Sequence, residues 1–192
     1  MVREADFVGI AGQMRHVWKG HIMANLIAYY SRKGENYWAG SIKNLEKGNT
    51  ERVAEFVQEA VGGDLFEIET VKTYDASYMK CIDDAKAELH SGARPELKAF
   101  VENMDDYDTI FLGYPNWWGT CPMCVFTFLE HYDLAGKRII PFCTNEGSGM
   151  GGSEKDLKKA CSNATVERGL SITGNQATAS RDKVAAWAKK FA

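Results

Sequence analysis

Three short stretches carry the residues best suited to chemistry. Ser31, and further on Gly48-Asn49-Thr50, place hydroxyl and amide side chains at the start of an expected helix. Free N–H groups at a helix N-terminus, flanked by such side chains, suit an anionic phosphate, and Gly48 lets the backbone come close. Pro115-Asn116-Trp117-Trp118-Gly119 sets two indoles side by side in a loop. They cannot both point into one core, so at least one offers a flat apolar face to a planar ligand. Thr144-Asn145-Glu146-Gly147-Ser148-Gly149 is polar and Gly-rich, with amides able to meet the rim of a ring system. A phosphate site, a stacking site and a hydrogen-bonding loop together describe a mononucleotide with a flat heterocycle.

Other candidates weaken on inspection. Cys121-Pro-Met-Cys124 is a C-x-x-C at an expected helix start, where a thiolate is stabilised. The surrounding pattern is not thioredoxin-like and the adjoining Trp loop already accounts for the site, so small apolar cysteines are the preferred reading. His16, His21, His90 and His131 have no metal-ligand spacing, and no metal site is assigned. Asp105, Asp106 and Asp108 read as a solvated turn before a strand. Ser148 lacks both a nucleophile elbow and His or Asp partners, which argues against a serine hydrolase. No catalytic residue is assigned.

The three stretches need a frame that brings them to one edge. Strands are expected over 26–30, 65–69, 109–114 and 137–143, with one or two short ones within 164–173. Helices are expected over 50–61, 78–91 and from Pro122 toward His131, with Pro122 in the first turn. A further helix starts at Ser153, with Asp156 completing a capping box, and the last runs from Ser180. Val53, Phe56, Val57, Ala60 and Val61 form the clearest apolar stripe, and Gly62-Gly63 ends it. Strands alternating with helices predict an α/β doubly wound five-stranded parallel sheet, order 2-1-3-4-5, with helices on both faces. In such sheets ligands bind beyond the carboxyl ends of the strands, where all three loops fall.

Composition narrows the class. The chain of 192 residues is 45% hydrophobic and 26% charged, ordinary for one globular domain. A net charge of −3 argues against nucleic acid, which needs a basic stripe. No apolar run approaches the roughly 20 residues of a membrane helix, so no membrane partner is expected. Five cysteines in a chain of this size fit free thiols in a reducing cytoplasm. Residues 1–24 read as an N-terminal extension without assigned function, Met23-Ala-Asn25 being a natural start, and 25–192 as one domain.

The motifs resemble the flavodoxin family, most of all its short-chain flavodoxin-like branch. That branch joins a GNTE-type phosphate helix to YP-x-WWGT and to a CT-x-x-GSG-x-GGS loop. Here the three read Gly48-Asn-Thr-Glu51, Tyr114-Pro-Asn-Trp-Trp-Gly-Thr120 and Cys143-Thr-Asn-Glu-Gly-Ser-Gly-Met-Gly-Gly-Ser153. The resemblance runs from about residue 26 to the last helix. It implies the flavodoxin-like fold and FMN as cofactor. The phosphate would rest on Ser31, Gly48, Asn49 and Thr50 with Arg32 alongside. The ring would lie between Pro115, Asn116, Trp117, Trp118 and Gly119 on one side and Thr144, Glu146, Gly147, Ser148 and Gly149 on the other.

One departure from the family is large. Flavodoxins place only a couple of residues between the first Ser or Thr and Gly-Asn-Thr, whereas sixteen, residues 32–47, intervene here. The insert carries Tyr37, Trp38, Arg32, Lys33, Lys43 and Lys47, and it must loop out for Ser31 and Asn49 to meet around one phosphate. It reads as a lid or docking surface, or equally as a tolerated insertion, because loop closure costs only logarithmically more with length. The resemblance implies electron transfer through non-covalently bound FMN, with redox proteins as partners. The alternative is an oxidoreductase that reduces a quinone or similar acceptor with NAD(P)H.

Overall fold

The computed structural model describes residues 16–18 and 21–191. Strand β1 (His16–Trp18) pairs antiparallel with the start of β2 (His21–Tyr29). The rest of the extension expected over 1–24 lies largely outside the described residues. Next come β3 (Gly34–Trp38) and β4 (Ser41–Leu45), then α1 (Asn49–Val61), β5 (Asp64–Glu67) and α2 (Tyr78–Ser91). They are followed by β6 (Tyr107–Pro115), α3 (Met123–Glu130), β7 (Arg138–Asn145) and α4 (Ser153–Ala160). The chain closes with β8 (Thr165–Val166), β9 (Leu170–Thr173) and α5 (Arg181–Ala188).

The parallel strands run β5-β2-β6-β7, with β8 and β9 both paired to β7. Counted as parallel strands this is 2-1-3-4-5, the fifth position being filled by two short pieces. In β6, Ile110, Phe111 and Leu112 are fully buried, as a central strand covered on both faces requires. Successive residues feed opposite cores. Leu26, Ile110 and Leu112 pack with α3 residues Val125 and Phe128. Ile27, Phe111 and Ile140 pack with Val53 and Val57 of α1 and Val184 and Trp187 of α5. Among the described residues no helix is long and apolar enough to cross a membrane.

The insert takes a definite form and two expectations are corrected. The insert is a ribbon: β3 and β4 pair antiparallel from Gly34↔Leu45 to Trp38↔Ser41, closed by Ala39-Gly40. Both turn residues have positive φ, +46° and +94°, the twist that matches a two-residue hairpin. Ser153 does not cap α4, which starts from Gly152. Its hydroxyl accepts from the buried Tyr114 O–H at 2.9 Å and donates to Met150 O at 2.6 Å. Asp156 accepts from Thr120 Oγ1 at 2.7 Å, so no capping box forms. The buried phenol at the end of β6 needs an acceptor, and Ser153 supplies it. Pro122 sits one place earlier than expected, as the extended cap residue of α3, its carbonyl accepting from the Val125 amide at 2.9 Å.

Candidate functional site

The carboxyl ends of β2, β6 and β7 lie side by side, Tyr29 opposite Gly113 and Pro115 opposite Thr144. The loops that leave them meet there. At the first corner, α1 begins after Gly48, a cap residue with no side chain to close the turn. Ser31 Oγ accepts from the Glu51 amide at 3.1 Å. A Cβ on Gly48 would fall 2.1 Å from Ser31 Oγ and 2.7 Å from Arg32 O, so this position requires glycine. Thr50 and Thr144 join their hydroxyls at 2.8 Å and tie the first loop to the third.

Trp118 and Gly119 form the tip of a second tight turn. Trp117 and Thr120 exchange backbone hydrogen bonds of 3.0 and 3.2 Å across it, with φ of +56° at Trp118 and +88° at Gly119. A bulky residue with positive φ is uncommon, and such conformations collect at ligand sites. The two indoles have different roles. Trp117 is wedged edge-on against Tyr30 and Tyr74, with centroids 5.3 and 5.0 Å away. Trp118 is 48% exposed, its Nε1 donating to Ile82 O at 2.8 Å and the Lys86 ammonium 4.9 Å from its ring. Asn116 fixes the turn by accepting from the Gly119 amide, and it reaches the third loop by donating to Gly149 O, both at 2.9 Å.

In the third loop Asn145 Oδ1 accepts from the Gly147 and Gly149 amides at 2.9 Å each. Two amides expected to face a ligand are therefore engaged within the loop. Glu146 binds outward on two sides: Oε1 accepts from Asn175 N at 3.0 Å and Oε2 from Ala39 N, at the hairpin tip, at 3.1 Å. The cations beside the first corner are also engaged. Arg32 donates to the carbonyls of Glu35, Asp75 and Ala76 at 2.8–2.9 Å, and Lys33 lies 3.6 Å from Glu51 and 3.7 Å from Glu67. Arg32 thus anchors the hairpin to the segment before α2 rather than standing free for an anion. The corner offers hydroxyls and amides.

These loops enclose a cleft of about 320 Å³, within the range of small-molecule sites. Of the residues expected from sequence, Asn49, Pro115, Asn116, Trp117, Trp118, Thr144, Glu146 and Ser148 line it. Ser31, Gly48, Thr50, Gly119, Gly147 and Gly149 shape the loops behind it. Sequence reasoning did not assign Asn36, Tyr37, Tyr78, Ile82, Asn145 or Gly174, which also line it. Tyr37 stood out in the insert as an aromatic in a polar run. Asn145 lay within the third stretch without being singled out, and the other four carried no motif.

The thiols do no evident chemistry. Cys121 and Cys124 are buried, and burial pushes both well above the ordinary thiol range. Cys143, near the carboxyl end of β7, is pushed up to about 12 by the same cause. A second cleft of about 300 Å³ lies between 71–74, α2 and 93–96, with Tyr74, Glu88 and Arg94 in its wall. Three of its polar side chains are already paired, Tyr74 O–H donating to Glu88 at 2.7 Å and Arg94 making two 2.7 Å bonds to Glu130.

Comparison with known proteins agrees with this geometry. A family model described as Flavodoxin matches residues 43–191. A solved structure of a candidate flavoprotein from Bacteroides uniformis ATCC 8492 is 30% identical, covering 87% of this chain and 98% of its own, with a TM-score of 0.69. One from Bacteroides eggerthii DSM 20697 is 31% identical over 84% and 98% of the two chains, with a TM-score of 0.65. A flavoprotein from Lactobacillus acidophilus NCFM, solved in complex with FMN, shares the fold at 20% identity, 82% and 97% coverage and a TM-score of 0.61. Among curated proteins the chain finds no match.

Proposed function

The chain belongs to the flavodoxin family, and on that premise we propose that it is a redox protein that holds FMN without a covalent bond and passes electrons through it. The observation that carries this reading is the meeting of an α1 N-terminus capped by glycine and an exposed Trp118 face in one cleft. The residues present fit the group. Ser31, Thr50, Asn49 and the first amides of α1 give a phosphate hydroxyl and N–H donors without a cation. Gly48 admits no Cβ, as a close backbone cradle demands. FMN, when bound, supplies one- and two-electron transfer. The protein's part would be to seat the phosphate at the first corner, with Trp118 and the Glu146 carboxylate in the cleft wall that would receive the ring. Negative charge there disfavours added electrons and lowers the potential.

Electron exchange with partner proteins is the favoured assignment. The NAD(P)H-dependent oxidoreductase is kept as a second reading because of the hairpin, which adds Tyr37 beside Tyr78 in the cleft wall and narrows access toward that of a small planar acceptor. Mixing the FMN-loaded protein with NADH or NADPH separates the two. A carrier keeps its oxidised absorption until a reductase is added. Rapid bleaching, then turnover with a quinone, favours the enzyme and sinks the carrier. A protein that takes up no FMN on reconstitution refutes both.

A further inference from the structure

The hairpin is the part of this chain that its family motifs do not explain, and it is fastened to two walls of the cleft. From the β7 side, Glu146 Oε2 accepts from the Ala39 amide at 3.1 Å, and the same carboxylate is steadied by Asn175 N at 3.0 Å. From the α2 side, Glu35 Oε2 accepts from the Tyr78 amide, at the first residue of that helix, at 2.7 Å. Arg32, at the root of the hairpin, donates to the carbonyls of Asp75 and Ala76. A ribbon with its root at the phosphate corner, bonded to both opposite rims, spans the opening.

Its aromatic content faces the same space. Tyr37 of β3 and Tyr78 of α2 stack with centroids 6.2 Å apart and planes at 28°, and both line the cleft with Trp118. Tyr37 is 42% exposed, although it lines a cavity. An exposed aromatic in a cleft gains burial when a flat ring enters, whereas one on an outer face does not.

Resting on the FMN reading, we propose that the hairpin is a clasp over the bound cofactor. Tyr37 and Tyr78 form a second aromatic wall for the ring, and Glu35 and Glu146 hold the wall shut. The clasp acts on passage as well as on contact: FMN enters and leaves through an opening that the hairpin spans. Breaking a latch raises the association and dissociation rates together, while losing a wall residue raises dissociation alone. That difference separates a gate from a simple contact.

The test uses the full chain and stopped-flow flavin fluorescence, which reads binding rather than activity. In E35A, a residue that does not line the cleft, both rates are expected to rise about tenfold, the effect of losing one charge-assisted hydrogen bond. The dissociation constant moves far less. In Y37A dissociation alone is expected to quicken about tenfold, with a shift in the visible spectrum of the bound flavin. Thermal unfolding of the apo forms checks that both variants remain folded. FMN that binds E35A with wild-type rates overturns the clasp and leaves the FMN reading standing. An unchanged spectrum and dissociation rate in Y37A overturn the wall. A wild-type chain that takes up no FMN overturns the clasp and the FMN reading together.

Discussion

At the scale of single residues, the adjacency of Trp117 and Trp118 meant that both could not point into one core, but which indole stays exposed was not legible in the sequence. That choice depends on Tyr30 and Tyr74, which arrive from other segments, and on the positive φ that puts Trp118 at a turn tip. The difference should appear as a split in phenotype. Trp117→Ala removes a wedge between two rings and is expected to cost about 3 kcal/mol of folding stability. Trp118→Ala is expected to cost under about 1 kcal/mol but to weaken FMN more strongly. Urea unfolding of the apo forms and FMN titration measure the two effects, and equal losses of stability would contradict the assignment. The thiols give a pH prediction. Burial pushes Cys81 and Cys161 up to about 11. A thiol raised on folding contributes stability that is complete below its unfolded pKa and disappears as pH climbs through the folded one. Stability should therefore fall between about pH 8.5 and 11. Cys161→Ala should flatten that slope, and a native protein alkylated at pH 8 as fast as one in urea would refute the burial argument.

At the scale of elements, periodicity revealed the parallel strands and the long helices because each buries one stripe or both faces. It failed for the hairpin, which buries little. Most of β4 is exposed, and β3 alternates only between half-buried and exposed residues, so no apolar alternation marks it. Its turn is Ala39-Gly40, without the Asn-Gly or Asp-Gly that announces such turns. The capping box failed for another reason. Ser153 and Asp156 have the right spacing, but Tyr114 and Thr120, distant in sequence, claim their oxygens. A double-mutant cycle separates the two roles. Ser153→Ala leaves the Tyr114 hydroxyl buried without its acceptor and is expected to cost about 1–3 kcal/mol. Tyr114→Phe removes that orphan, so the double variant should lose clearly less than the sum of the singles. Strict additivity in urea unfolding would mean that Ser153 stabilises the helix end after all.

At the scale of the whole molecule, the alternation of strands and helices pointed to a doubly wound sheet of order 2-1-3-4-5, in which ligands sit beyond the strands' carboxyl ends. Segments far apart in sequence, near residues 48, 118 and 147, could thus be assigned to one site before any contact was known. The structure adds the bonds between them: Thr50 with Thr144, Asn116 with Gly149, and Glu146 with Ala39. Because the loops are joined, a ligand that touches all three should quieten them as a unit. Hydrogen exchange with saturating FMN is expected to slow amides at 37–40, 48–51, 116–119 and 146–149 in concert. The fully buried strand interiors at 110–112, already slow, should change little beyond the global rise in stability, about 2.7 kcal/mol at a hundredfold excess over the dissociation constant. The second cleft, near 71–74 and 93–96, provides the internal comparison. If protection gathers there instead, the cofactor has been placed at the wrong end of α2. If it appears at 48–51 alone, the phosphate corner binds an anion without the ring, and the aromatic walls of Trp118 and Tyr37 have another use.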